Sequence, residues 1–398
     1  MNIKYYLRKA KDVNLKDAAS AFPMIAALIC TPFAGKKYRN IWAISERKEE
    51  ARDNGYHFFK YMTGNHPEQK CIYVIDKNCS DYEKVRALGD IVQFGSLEHW
   101  IMYFNCRYLI SSQRFLPNAY MGTLIERMGL SNPRHVFLQH GITINKPEYL
   151  RADRWKVRLF TTATPQETDF IRKELGYERD QVSCTGFARF DALHEFEVRK
   201  NRILIMPTWR KWLRLKSEAH SDVTTDLMSS QYIKEWQKLL QSDELAELIK
   251  ENDLEIVFIP HPNMKGILNP SNIVGDKITV ADLENADLQG LMKTSEMIIT
   301  DYSSVFFDMA YMKKPIIFFQ FDEKDFRRYH YEEGWYSYRD SGFGDVCTEA
   351  SEVIGTLRKY VQNGYKVSDE YLNEHRETFT LYDTLNSERI YEAVRSLK

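Results

Sequence analysis

Short apolar runs alternating with helical stretches constrain this chain more than any other feature. The runs are Ile41–Ser45, Cys71–Ile75, Ile91–Phe94, Tyr108–Ser111, Val136–Gln139, Leu159–Thr162, Ile203–Met206, Glu255–Ile259, Met297–Thr300 and Ile316–Phe319. Most are β-branched or aromatic along their whole length, as strands covered on both faces must be. Between them lie helical patterns such as Glu46–Lys60, Gln166–Leu175, Ile233–Lys250 and Val305–Lys313. A βαβα rhythm of this kind predicts parallel sheets with helices on both sides. One hydrophobic core rarely serves 398 residues, so two doubly wound domains are expected. The charged segment His194–Arg202 marks the boundary. It gives a first domain over residues 1–195 and a second over 196–368, with helices over 369–398 packing back on the first.

Composition narrows the chemistry. The chain is 43% hydrophobic and 28% charged, which suits globular protein, and its net charge of −1 gives no bulk attraction for nucleic acid. Six scattered cysteines form no CxxC and no His cluster accompanies them, so neither a zinc site, another metal centre nor a disulfide framework is expected. They fit a reducing, cytoplasmic compartment. Near the start, Lys4, Arg8, Lys9, Lys11 and Lys16 precede an apolar stretch from Ala18 to Cys30 broken by Pro23. No cleavage site follows, so a signal peptide is not the expectation. The stretch is either a basic, apolar element lying on an anionic membrane surface, at its inner face, or a core helix with a solvated basic approach.

Four stretches carry chemistry. In Ile298–Asp308 a strand ends at Thr300 and a helix starts near Ser303, with Asp301 or Ser303 as its cap and Lys313 and Lys314 at its negative end. Strand, turn and helix in that order place free N–H groups and two hydroxyls, Ser303 and Ser304, at a sheet's carboxyl edge, where a phosphate can sit. Plain helix capping explains the same serines equally simply. His140, in Val136–Ile142, ends an apolar strand before Gly141, and His261 ends another between two prolines. Each expected domain thus has one His at its ligand edge. In Ile205–Arg210, Thr208 and Arg210 stand beside Lys211, Arg214 and Lys216, and arginine suits a bidentate grip on phosphate. A solvated basic loop is the alternative there.

Taken together these residues resemble the CDP-glycerol glycerophosphotransferase family, the teichoic-acid primases and polymerases and their capsule relatives. The likeness runs through Ile41–Arg47, Ala51-Arg-Asp-Asn-Gly55, Gln139-His-Gly141, Thr185–Asp191, Pro207-Thr-Trp-Arg210, His261-Pro262, Asp287-Leu-Gln289, Thr300–Asp308, Gly334-Trp-Tyr336 and Phe379…Asp383…Ser387-Glu-Arg389. It implies two Rossmann-like domains facing across a cleft, as in the GT-B fold. The first domain would hold the acceptor and the second the nucleotide. It implies transfer of glycerol-phosphate from CDP-glycerol, or a polyol-phosphate from CDP-ribitol, to a glycan, lipid-linked saccharide or polyol-phosphate acceptor, with release of CMP and no cofactor. His140 matches the family's catalytic base and His261 its second histidine. Ser303 and Ser304 match its phosphate-binding serines, and Arg210, with Thr208 and Asp301, falls in motifs near the donor. Gln139 stands where many members have Trp, Ile142-Thr143 where many have Thr-Pro, and Ala188 where many have Pro. A sugar-nucleotide glycosyltransferase of the same fold, and a nucleotide- or lipid-binding module without turnover, are the competing expectations.

Overall fold

The computed structural model describes residues 15–114, 117–118, 121–122, 125, 134–213, 229–264, 273–281, 286–340 and 342–397. Lys4, Arg8, Lys9 and Lys11, the side chain of Lys16, and Arg214 and Lys216 lie outside the described residues. Two parallel sheets result. The first joins β1 (Trp42–Ser45), β2 (Cys71–Ile75), β3 (Ile91–Gln93), β4 (Tyr108–Ser111), β5 (Arg134–Phe137), β6 (Leu159–Thr162) and β7 (Val182–Cys184) in the order β3-β2-β1-β4-β5-β6-β7. The second joins β8 (Arg202–Met206), β9 (Glu255–Phe258), β10 (Ile278–Val280), β11 (Met297–Thr300), β12 (Ile316–Phe319) and β13 (Asp345–Cys347) in the order β10-β9-β8-β11-β12-β13. Both orders reverse beside their first strand. Ligands of such sheets bind outside the carboxyl ends at that point, between β1 and β4 in one sheet and between β8 and β11 in the other. This is a GT-B-like arrangement of two α/β domains.

Helix limits differ from the sequence pattern where side chains intervene. The expected helix Glu46–Lys60 starts only at Asn54 and runs to Asn65. Glu46 turns inward and its carboxylate accepts from the backbone of Asp53 (3.0 Å) and Tyr56 (2.9 Å), capping that helix from outside. Burial, with Asp53 nearby, pushes the Glu46 carboxyl up to about 8 against those donors. Ile233–Lys250 divides into Gln231–Leu240 and Asp243–Asn252, because Ser242 caps the second piece through the Leu245 N–H (3.2 Å). Val305–Lys313 shrinks to Phe306–Tyr311, and Lys313 leaves the helix with φ 59°. Lys314 does not serve that helix at all. Its buried ammonium donates to the carbonyls of Met292 (2.9 Å), Lys293 (2.6 Å) and Ser295 (2.5 Å), closing the carboxyl end of the helix Leu288–Thr294.

The carboxyl-terminal helices divide between the sheets. Asn386–Arg395 lies on the first, where Ile390, Tyr391 and Val394 join Trp42 and Tyr108 in one apolar cluster. Asp369–Thr378 lies on the second instead, with the Tyr371 hydroxyl donating to the Lys314 carbonyl (2.6 Å). A further cluster belongs to both domains. Ile142, Ile144, Phe187 and Phe190 pack with Phe306, Phe307, Tyr311 and Tyr336. Near the start, the helix Leu15–Ala34 buries Met24 and Ala27 against the first sheet's layer and leaves other apolar residues exposed. Among the described residues no helix is long and apolar enough to cross a membrane.

Candidate functional site

His140 is carried on a strained and heavily braced turn. β5 gives way to Gln139, which holds a left-handed φ of 61° while fully buried. That conformation costs a non-glycine residue of order 1 kcal/mol and persists only where its surroundings dictate it. Here they do. Buried Asn54 donates to the carbonyls of Leu138 (3.1 Å) and Gln139 (2.7 Å). On the other side the Glu167 carboxylate accepts from the Thr143 backbone (2.7 Å), the Gln139 amide (3.2 Å) and the Ala163 backbone (2.8 Å). Gln139 also donates to the Thr143 hydroxyl (2.8 Å). The amide at position 139 is therefore one link in the brace.

His140 itself faces solvent at the mouth of this turn, yet protein walls the cleft around it. That enclosure lowers its pKa, and Arg47 and Arg189 add to the effect. Asp53 and a hydrogen bond with the Ser112 backbone oppose it. The net direction leaves the imidazole neutral near pH 7, with a ring nitrogen free to accept a proton.

Across the cleft, His261 follows β9. The Asn263 N–H donates to its Nδ1 (3.1 Å), so the neutral ring carries its proton on Nε2. Burial and the nearby Arg47 charge hold this ring down at about 4. Arg47, just beyond β1, thus acts on both imidazoles. The serine turn lies against the first histidine's loop, since a Cβ added at Gly141 would sit 3.0 Å from Ser304 Oγ. Ser303 Oγ accepts from the Val305 N–H (3.3 Å), and both serines stay part-exposed.

Arg210 is not where a phosphate grip requires it. Its side chain has no exposed surface. Nε and Nη2 clasp Asp322 at 2.7 and 2.9 Å, and Nη1 meets Asp301 at 3.0 Å and the Thr208 carbonyl at 2.8 Å. The guanidinium is packed among the rings of Tyr232, Tyr302 and Phe326. Asp301, equally buried, accepts from the backbones of Thr208 (2.8 Å) and Tyr302 (2.7 Å). Arg210 and Asp301 therefore form a strut that ties the loops after β8 and β11 together beneath the cleft. They do not line it. Thr208 is buried as well.

The motif residues to which sequence reasoning gave no role sit mostly on the seam between the domains. Buried Arg189 donates twice to Asp308 of the second domain (2.8 and 2.7 Å) and once to Asp53 of the first (3.1 Å), and its N–H donates to Asn54 (3.1 Å). Arg52 reaches the Ala286 carbonyl (2.8 Å), and Gln289 reaches the Arg189 carbonyl (3.2 Å). Trp335 donates to the Thr143 carbonyl (2.8 Å), and Arg327 to Asn145 (3.0 Å). Gly334 lies so close to the Ile144 carbonyl that any Cβ there would overlap it. We expect Gly334→Ala to push the second domain off the His140 loop. Overpacking of this kind costs about 1–3 kcal/mol, and a matched drop in kcat and denaturation midpoint would register it. Among the described residues no group of three His, Cys, Asp or Glu side chains is placed to hold a metal ion.

Comparison with known proteins agrees with the two-domain fold. The family described as CDP-Glycerol:Poly(glycerophosphate) glycerophosphotransferase matches residues 26–396. The chain is 30% identical over 385 residues to the minor teichoic acid biosynthesis protein GgaB of Bacillus subtilis, covering 94% of this chain and 42% of that protein. It is 24% identical to a teichoic acid poly(glycerol phosphate) polymerase of Staphylococcus epidermidis, covering 92% of this chain and 49% of that one. The chain thus spans less than half the length of these relatives. The solved structure of the wall teichoic acid polymerase TagF superposes with a TM-score of 0.65 at 18% identity, covering 99% of this chain and 96% of that one.

Proposed function

The chain belongs to the CDP-glycerol:poly(glycerophosphate) glycerophosphotransferase family, and from that premise we propose that it transfers glycerol-phosphate from CDP-glycerol to an acceptor hydroxyl. One observation carries the reading. The turn bearing His140 meets the Ser303–Ser304 turn across the cleft, with Ser304 against Gly141, while His261 follows β9, one strand beyond β8 from the serine turn.

The donor diphosphate lies against the serine turn and receives the Nε2–H of His261. The acceptor enters from the first domain. His140 takes the proton of its hydroxyl as the oxygen attacks the phosphorus that bears glycerol. A new P–O bond forms to the acceptor, the P–O bond to the CMP oxygen breaks, and CMP leaves with the electron pair. Arg47, close to both imidazoles, offsets charge on the phosphoryl oxygens. Arg210 and Asp301 contribute by fixing the loops after β8 and β11. The acceptor is the hydroxyl of a glycan, a lipid-linked saccharide or a growing polyol-phosphate chain. The enzyme works in the cytoplasm, at the inner face of the membrane.

Incubation with CDP-glycerol, CDP-ribitol and a panel of sugar nucleotides in the presence of a teichoic-acid-like acceptor tests this. We expect CMP and a product heavier by one or more glycerol-phosphate units. Release of UDP or GDP with a sugar added would assign a glycosyltransferase. Binding of CDP-glycerol without turnover would assign a binding module.

A further inference from the structure

The loop that carries His140 runs on to Tyr149, and along the way it meets residues 327–335 of the second domain. The Thr143 carbonyl accepts from the Trp335 indole N–H (2.8 Å), Ile144 lies against Gly334, and Asn145 accepts from Arg327 (3.0 Å). Tyr149 continues this seam, because its hydroxyl feels the hydroxyl of Tyr331. The Tyr149 ring is 52% exposed. Yet the protein around it pushes its hydroxyl up to about 12. A ring both wetted and surrounded stands in a recess, not on a bulge. Tyr331 is part-exposed and has the same signature, since burial raises its hydroxyl as well. Behind Tyr331 the rings continue. His330 lies 4.5 Å from it, Trp209 lies 4.7 Å from His330, and His261 lies 6.1 Å from Trp209. The recess thus opens on the loop of one imidazole and is joined by a file of rings to the other.

We propose that Tyr149 and Tyr331 flank an acceptor subsite that takes a sugar ring. The inference rests on the transferase reading and names the part of the acceptor that the cleft recognises. Chemistry decides the occupant. A pyranose presents an apolar face of C–H groups and a rim of hydroxyls. A tyrosine offers a ring face to the first and a hydroxyl that donates and accepts to the second. A phosphate-bearing polyol segment suits the recess less. Exposed Glu332 and Glu333 follow Tyr331 directly, and like charges placed together oppose binding. The basic side chains nearby are engaged elsewhere. Lys146 pairs with Glu174 (2.8 Å), Arg154 pairs with Glu148 (2.9 Å), and Arg328 lies 5.1 Å from the Tyr329 ring.

Kinetics of the full chain with CDP-glycerol and two water-soluble acceptors test the proposal. One acceptor is a hexose disaccharide methyl glycoside and the other a sugar-free glycerol-phosphate trimer. We expect Tyr149→Ala and Tyr331→Ala each to raise the disaccharide KM roughly two- to tenfold, the worth of one aromatic contact. The change should fall on that KM and not on the KM for CDP-glycerol, and the preference for disaccharide over trimer should shrink by the same factor. Tyr149→Phe keeps the ring face and should recover most of the loss. Binding is read separately, without donor, as saturation transfer from the protein to the sugar C–H protons. It should be present in the wild type and weak in both alanine variants. An unchanged disaccharide KM in both variants, an equal loss with the trimer, or no saturation transfer from the wild type would overturn the proposal. So would a rise confined to the KM for CDP-glycerol, which would make the nucleobase the occupant. No CMP release with either acceptor, alongside saturation transfer that the alanine variants lose, would fault the transferase reading and keep the sugar subsite.

Discussion

His140→Ala should lower kcat at least a hundredfold without moving the denaturation midpoint. A positioned general base contributes typically 10²–10⁴-fold. The side chain faces the cleft, so truncating it opens no cavity in the core. The brace around it, from Asn54, Gln139 and Glu167, does not use the imidazole. The pH profile gives a second check. Enclosure pushes this histidine below its ordinary 6.5, and the base must be deprotonated to work. The acid limb of kcat/KM should therefore fall away only below pH 6.5, and it should vanish in the alanine variant. A loss under tenfold with the fold intact would place the base elsewhere.

Arg210→Ala should instead be felt in stability. Removing one partner of a buried ion pair costs about 3–5 kcal/mol, because the charges left behind have no water to return to. Two carboxylates, Asp301 and Asp322, would be stranded here. A large part of a typical domain's stability would go. Lysine should rescue poorly, since one ammonium cannot span both carboxylates as the forked guanidinium does. Chemical denaturation of the three proteins decides the matter. An alanine variant with a wild-type midpoint and weakened donor binding would return Arg210 to the phosphate.

The central strands were legible because each is apolar along its length, as burial on both faces demands. Three strands escaped: β7, β10 and β13. All are three residues long and lie at sheet edges. Thr279 and Val280 of β10 and Asp345 of β13 face solvent, so no apolar run announces them. β3 is also a short edge strand, and Ile91, Val92 and Phe94 revealed it. The two histidines and the serine turn were legible for a different reason. Each follows directly on a strand, and a strand's carboxyl end is where such sheets place ligands. Arg210 misled because its neighbours in sequence are basic and polar, while the partner that buries it, Asp322, stands 112 residues away. Asn54, Glu167 and Arg189 stayed silent on the same ground. Their roles exist only once distant segments meet. At the amino end one helix face is core, as the core-helix expectation has it, and the other face is bare.

The aromatic cluster shared by both sheets has a practical corollary. Phe187 and Phe190 belong to one half by sequence and to the other by packing. A gene cut within His194–Arg202 would thus yield two fragments, each with a raw greasy wall, and neither would make a usable reagent. The halves are better regarded as a single cooperative unit, inherited, expressed and melted together.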